Sequence, residues 1–395
     1  MLSLILQNAR DMPLAMSLKI EGFSTDTTSL IGDVCKLFFR AARRAEHLQL
    51  RTYGDIPLQE IATEIQPALK LQTLGINIKT YYNASIDSVV SVLSKLWNPA
   101  PLLRTLTLPR IDNMVIHFPL KSARSLEAAT IPFQQLTALC VEFWIDLDVI
   151  CYLMSLMPSL TTVTLDTVLK GEEQLRRDLR RPSLRELTLH GCLCGYPPTS
   201  MELLDFVLAR SPSLTTLRLT RSHECEDASL QYFASVLKKS SACIEHLQFD
   251  FIPSTDDEKI ECLKLLSALR TLDLTVNDDG FTESVIGTKF CEAMQEWDSS
   301  TRAFILCPRL EKLAIDHRTL QAPASRSFAE MVEERWRRSR AAGQAFEVII
   351  GNVEEGLENC EMLDDIMHIQ ALKKFGLKAT ITPKDWVKRY FQRLS

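Results

Sequence analysis

A six-residue pattern, Leu-x-x-Leu-x-Leu, recurs along this chain and constrains its fold more than any other feature. Clear copies begin at Leu71, Leu103, Leu136, Leu160, Leu184, Leu214, Ile244, Leu269 and Leu310. Each carries apolar side chains at its first, fourth and sixth positions, as in Leu103, Leu106 and Leu108 or Leu214, Leu217 and Leu219. Weaker copies, Ala45-x-x-Leu48-x-Leu50 and Ala15-x-x-Leu18-x-Ile20, extend the series toward the N-terminus. From Leu71 onward the starts lie 24 to 33 residues apart, with one gap of 41 before Leu310. The last two apolar residues of each copy alternate, as a strand buried on one face requires. The first turns the chain into that strand.

Helical spacing fills the intervals. Leu203, Leu204, Val207 and Leu208 recur at about one helical turn, as do Leu230, Phe233, Val236 and Leu237, and Val89, Val90, Leu93 and Leu96. Pro and Ser follow these stretches in Met157-Pro158-Ser159-Leu160 and Ser211-Pro212-Ser213-Leu214, where proline stops the helix and sends the chain out extended. One strand-plus-helix unit cannot bury its apolar side alone, whereas stacked units can. The expected fold is an α/β solenoid of horseshoe form, with parallel strands on a concave face and helices on a convex one. It is expected to be a single domain over 1–395, with repeats to about residue 342 and irregular repeats and a cap over about 343–395.

Composition narrows the function. Of 395 residues, 46% are apolar and 24% charged, and the formal charge is −5, a balance unlike that of a disordered chain or a general nucleic-acid binder with its basic surplus. The 11 cysteines are scattered without a CxxC pair, which fits reduced thiols in a cytoplasmic or nuclear protein. The apolar run Leu2 to Leu6 is too short for a signal-peptide core, and no later stretch is long enough to span a bilayer.

The recurring hexad resembles the leucine-rich-repeat family, whose repeat lengths it shares. Within that family the chain is similar to the repeat region of F-box proteins from mushroom-type fungi. Leu6 to Leu14 followed by Ala15-Met16-Ser17-Leu18 looks like the Leu-x-x-(Ser/Ala)-Arg-x-x-Pro-Leu-x-x-x-Leu stretch that opens the repeats there. Ile131-Pro132-Phe133-Gln134-Gln135-Leu136-Thr137 is similar to a Pro-Trp-x-Gln-Leu-Thr segment, with Phe133 in place of Trp. The repeat family favours Asn or Cys three residues after the last strand leucine. Cys192 and Asn277 match and Ser222 takes the equivalent place, but Trp144, Val168 and Ile252 do not, so the ladder of polar caps is incomplete. The resemblance implies a substrate-recognition module of a ubiquitin ligase. An F-box would bind a Skp-type adaptor, but no leucine- and proline-rich module precedes Pro13, so that partner is implied only with an F-box upstream. The alternative is a repeat scaffold or inhibitor without a ubiquitin role.

Residues at and just beyond the strand ends are expected to face a partner. These positions include Glu21, Arg51, Asn77, Glu142, Asp166, His190, Thr220, Asp250, Thr275 and Asp316, and acidic residues dominate the charged ones. With Arg218 and Asp273, the candidate partner-binding set is Glu142, Asp166, His190, Arg218, Asp250, Asp273 and Asp316, a surface that favours a basic patch on a protein. The plainer reading of each is a generic polar strand end. His190, Cys192, Cys194, His223 and Cys225 form a metal-like group, but their spacings are not those of a zinc finger and an ordinary loop accounts for them. The clusters Arg176, Arg177, Arg180, Arg181 and Arg335, Arg337, Arg338, Arg340 have glutamates beside them, as solvated helix faces do. Asp256-Asp257-Glu258 and Asp278-Asp279 read as solvated turns.

No GxGxxG, GxxxxGK, HExxH or GxSxG occurs, so no enzyme, cofactor or metal is expected. At the C-terminus, Phe346 to Ile350 reads as a strand and Leu372 to Leu377 as a last irregular one. Trp386, Val387, Tyr390, Phe391 and Leu394 then fall at helical spacing and read as a terminal cap or a partner-binding helix. The expectation is a monomeric protein-binding module, without nucleic acid or membrane.

Overall fold

Seven copies of the hexad, those beginning at Leu71, Leu103, Leu136, Leu160, Leu214, Leu269 and Leu310, enter their strands through the same backbone turn. The N–H of Leu71 donates to the carbonyl of Ala68 at 2.9 Å, Leu103 to Ala100 at 3.2 Å, Leu160 to Met157 at 3.1 Å and Leu214 to Ser211 at 3.0 Å. The turn drives the first leucine inward, where Leu71, Leu103, Leu160 and Leu214 are fully buried. A second device joins successive copies. One carbonyl before a strand accepts two N–H groups of the next copy: Arg104 from Thr137 and Ala138, Arg185 from Thr215 and Thr216, Glu245 from Arg270 and Thr271. Neighbouring strands are thus aligned where they begin, before their ladders pair.

The structure is a computed structural model that describes residues 12–21, 28–53, 62–79, 91–108, 124, 127, 130–169, 183–190, 199–220, 230–239, 243–250, 254–275, 286–316, 327–353 and 363–383. The chain divides into two compact units, Met1–Leu184 and Arg185–Ser395.

In the first unit the strands are β1 (Leu14–Glu21), β2 (Ala45–Tyr53), β3 (Thr73–Lys79), β4 (Thr105–Leu108), β5 (Ala138–Asp146) and β6 (Thr162–Leu169). They pair in parallel in sequence order. Helix α1 (Thr28–Ala42) connects β1 to β2 and α2 (Leu147–Leu156) connects β5 to β6. Parallel neighbours need such crossovers, because a tight turn can only join antiparallel strands. Leu48, Leu74, Leu106, Leu139 and Val163 occupy one register row and Leu50, Ile76, Leu108, Val141 and Leu165 the next, all buried. Each such leucine is worth about 1.5–3 kcal/mol of burial.

The register of β1 differs from the hexad reading. Leu18 pairs with Leu50 and Met16 with Leu48, so Leu18 lies two residues from where Ala15-x-x-Leu18-x-Ile20 puts it. A shift of two keeps the same residues on the same face, so alternation alone is blind to it.

The second unit carries β7 (Glu186–His190), β8 (Thr216–Thr220), β9 (His246–Asp250) and β10 (Thr271–Leu274), then β11 (Trp297–Asp298) and β12 (Ala303–Phe304), then β13 (Lys312–Asp316), β14 (Glu347–Val353) and β15 (Lys378–Pro383). Except for β11 and β12, which form a separate antiparallel hairpin, these strands pair in parallel in sequence order. The helices are α3 (Thr199–Arg210), α4 (Leu230–Lys239), α5 (Asp256–Lys264), α6 (Thr288–Gln295), α7 (Ser327–Ala341) and α8 (Leu363–Lys374). From α4 to α8, each packs on the one before it. The predicted stripes are the buried ones: Leu203, Leu204, Val207 and Leu208 on α3, and Leu230, Phe233, Val236 and Leu237 on α4.

The long interval before Leu310 holds α6 and the hairpin, and β10 pairs directly with β13, so the ladder runs on without an intervening strand. Of two C-terminal expectations, one stands and one changes. The strand at Phe346 to Ile350 is present as β14 and keeps register with β13. Leu372 to Leu377 is not a strand; α8 runs to Lys374, Gly376 sits at φ 105°, and the strand is β15. Only a residue tolerant of positive φ ends the helix there, which the apolar spacing did not reveal. The cap residues from Trp386 to Leu394 lie outside the described residues. Among the described residues, no helix is long and apolar enough to cross a membrane.

Candidate functional site

Alternation along the strands leaves a second set of side chains on the face opposite the leucine rows, here termed the open face. In the first unit its rows are aligned by register. Gln49, Gly75, Thr107, Cys140 and Thr164 form one, and His47, Thr73, Thr105, Ala138 and Thr162 another. These rows carry small and mostly neutral groups. The charges lie on a third row, beyond the last leucines.

That third row is not uniformly acidic. The register shift of β1 puts Lys19 opposite Arg51, in the place expected for Glu21. At the other end stand Glu142 on β5 and Asp166 on β6, both half-buried. Arg51 Nη2 approaches Glu142 Oε2 to 4.0 Å across the two intervening strands. Arg51 is seated by Gln49: with the amide turned so that its oxygen faces the guanidinium, Gln49 accepts from Nε at 3.2 Å and Nη2 at 3.0 Å. Gly75 makes room for Gln49, since a Cβ there would sit 3.2 Å from Gln49 Cγ. Cys140 lies by the acidic end, and burial, then Glu142 and Asp166, push its thiol up to about 12. It is therefore a neutral group at physiological pH rather than a nucleophile.

In the second unit, Arg218 on β8 is exposed and ion-paired with Glu186 on β7, a partner one row over that the sequence did not suggest. His190 is exposed at the end of β7, with Nδ1 2.8 Å from Thr220 Oγ1. His246 and Thr271 repeat the arrangement at 3.0 Å. Asp273 is half-buried and accepts from the N–H and hydroxyl of Thr275 at 2.9 and 2.5 Å. Asp250 lies in register with Thr220 at the end of β9. Asp316 departs from expectation. It is fully buried, as is its β13 neighbour Ala314 at 4% exposure, and so cannot meet a partner. A strand-end position faces solvent only where nothing covers the sheet, and sequence does not report that.

Other candidate groups also resolve. Of the metal-like group only His190 is described, and among the described residues no cluster of three or more His, Cys, Asp or Glu is placed to hold a metal. Arg176 to Arg181 and Asp278-Asp279 lie outside the described residues. Asp256-Asp257-Glu258 is no turn but the first turn of α5. Thr255 and Glu258 form a capping box, and Asp256 accepts from the N–H groups of Gly287 and Phe290, both at 3.0 Å, at the start of α6. Acidic residues belong there because four N–H groups at each helix start lack partners.

The second arginine cluster splits. Arg337 and Arg338 pair with Glu333 and Glu334 one turn earlier, as a solvated face does. Arg335 instead lies on the inner stripe of α7 with Phe328, Met331 and Val332 and is 1% exposed. Its guanidinium donates to the carbonyls of Met294, Leu306 and Cys307, and stacks over Phe304 at 4.3 Å. Burial lowers its pKa to about 10, well above neutrality, so it stays charged. The 328, 331, 332, 335 spacing was the available signal. It was masked by the other three arginines.

No protein-family model and no curated protein matches this sequence.

Proposed function

We propose that this chain is a leucine-rich-repeat module that recognises a protein through the open face of its sheet, as the substrate-recognition half of an F-box protein does. The observation that carries the reading is the parallel, sequence-order pairing of strands within each unit. Strands follow one another in sequence order, the hexad leucines are consumed by the core, and the alternate positions of the first unit, from Gln49 and Thr107 to Thr164, carry side chains that remain partly exposed. Such a scaffold can change its exposed residues without disturbing the packed rows. The segment shared with F-box proteins has a structural task here: Phe133 is buried at the turn before β5, and Gln135 Nε2 donates to the carbonyl of Ala100 at 2.6 Å. It supports repeat architecture. A link to ubiquitination belongs to the same proposal and depends on an F-box, which would supply the Skp-type adaptor contact.

The charged groups of both units are paired or mixed in sign, so the partner is not simply basic. Arg218→Glu and Asp166→Lys are each expected to reduce the recovery of any protein captured by the wild-type chain, with circular dichroism unchanged. Undiminished co-purification with both variants overturns open-face recognition.

A further inference from the structure

The open face of the first unit has a property that a generic recognition surface does not need: its charge is segregated along the direction in which strands stack. Lys19 and Arg51 stand at the β1–β2 end, and Glu142 and Asp166 at the β5–β6 end. Between them the two adjoining rows carry the small side chains of Thr73, Thr105, Thr107, Thr162 and Thr164, with the neutral amide of Gln49 lying over Gly75. The charged ends are four strand spacings apart, about 19 Å, and two rows span about 7 Å along the strands.

Resting on the recognition reading above, we infer that this face takes one amphipathic helix of a partner protein, about 13 residues long at 1.5 Å per residue, laid across β2 to β6. Its acidic turn lies over Lys19 and Arg51 and its basic turn over Glu142 and Asp166. A helix about 10 Å wide needs two cleared rows, whereas an added strand would pair at a sheet edge and leave the face untouched. A uniformly basic or acidic segment meets like charge at one end. An acidic first turn and a basic last turn also suit the helix itself, through its dipole. Docking opens the Arg51–Glu142 contact, which is only partly buried and, at 4.0 Å, long and therefore weak.

The test uses two lactam-stapled peptides of about 13 residues and identical composition. One has two glutamates in its first turn and two lysines in its last; the other has the four charges alternated. Fluorescence anisotropy at low salt should show the segregated peptide binding about tenfold more tightly. The double reversal Arg51→Glu with Glu142→Arg, which keeps an opposite-charge pair, should bring the ratio to about one. Thr107→Trp, and independently Thr164→Trp, should fill the bed and abolish binding. Equal binding of both peptides, blocked by the tryptophans, overturns the segregated-helix inference and leaves open-face recognition standing. Binding that neither tryptophan affects, or no binding of the segregated peptide, overturns the inference; the co-purification variants then decide the broader reading.

Discussion

Arg335 Nε donates to the main-chain carbonyl of Met294 at 2.5 Å, tying a fully buried guanidinium to the C-terminal end of α6. The same side chain bonds the carbonyl of Cys307, which sits at φ 48° in the turn before β13. One residue thus holds α6, α7 and the entry to β13 together, and its ring contact with Phe304 docks the hairpin. Replacing it with Met leaves several buried carbonyls without donors, at a cost of roughly 3–5 kcal/mol. Urea unfolding should show that loss, and Arg335→Lys should recover little, because an ammonium lacks the planar fork that reaches several carbonyls.

The leucine rows make a simpler prediction. Leu217 is fully buried between Leu187 and Leu247. Leu217→Ala should cost about 2–5 kcal/mol, whereas Thr216→Ala on the open face should cost about 0.5 kcal/mol or less. Comparable losses at both positions, measured by denaturant midpoint, contradict the assignment of faces.

Asp256 and Asp257 are neighbours in sequence with different tasks. Asp256 caps α6 from α5, while Asp257 pairs with the exposed ammonium of Lys289. Asp256→Ala should therefore destabilise by about 1–2 kcal/mol and Asp257→Ala by a few tenths, near the resolution of thermal melts.

This contrast shows where sequence was legible and where it was not. The hexads located nearly every strand, because burial on one face writes a period into the residues themselves. What they could not locate were features set by a second segment. Asp256 reads as a turn until α6 is placed beside it, Arg335 as a solvated arginine until the hairpin fills its surroundings, and Asp316 as a strand-end charge until that rung is covered. The β1 register was ambiguous for another reason, since a slip of two preserves the alternation. Within the candidate site, Glu142, Asp166 and Arg218 were found by position, but the pairing of Glu142 with Arg51 and of Arg218 with Glu186 required the register.

The hairpin turn should respond to acid in a defined window. The hydroxyls of Ser300 and Thr301 hold the Asp298 carboxyl down to about 2. A depressed carboxyl contributes stability that is complete above its unfolded value, near about 4, and is lost as pH falls through about 2. The amide signals of Ser300 and Thr301 should therefore be unchanged from neutrality to about pH 4 and shift only below it. Movement between pH 5 and 7 would contradict the turn.

Recognition through the open face is the central claim, and photo-crosslinking tests it most directly. A photoreactive residue placed at Glu142 on the open face of the first unit, or at Arg218 on that of the second, should yield a protein adduct in cells. The same residue at Tyr232 on α4 or Met367 on α8, both exposed on helices, should yield none. Adducts confined to Tyr232 and Met367 would move recognition to the helices and contradict the account.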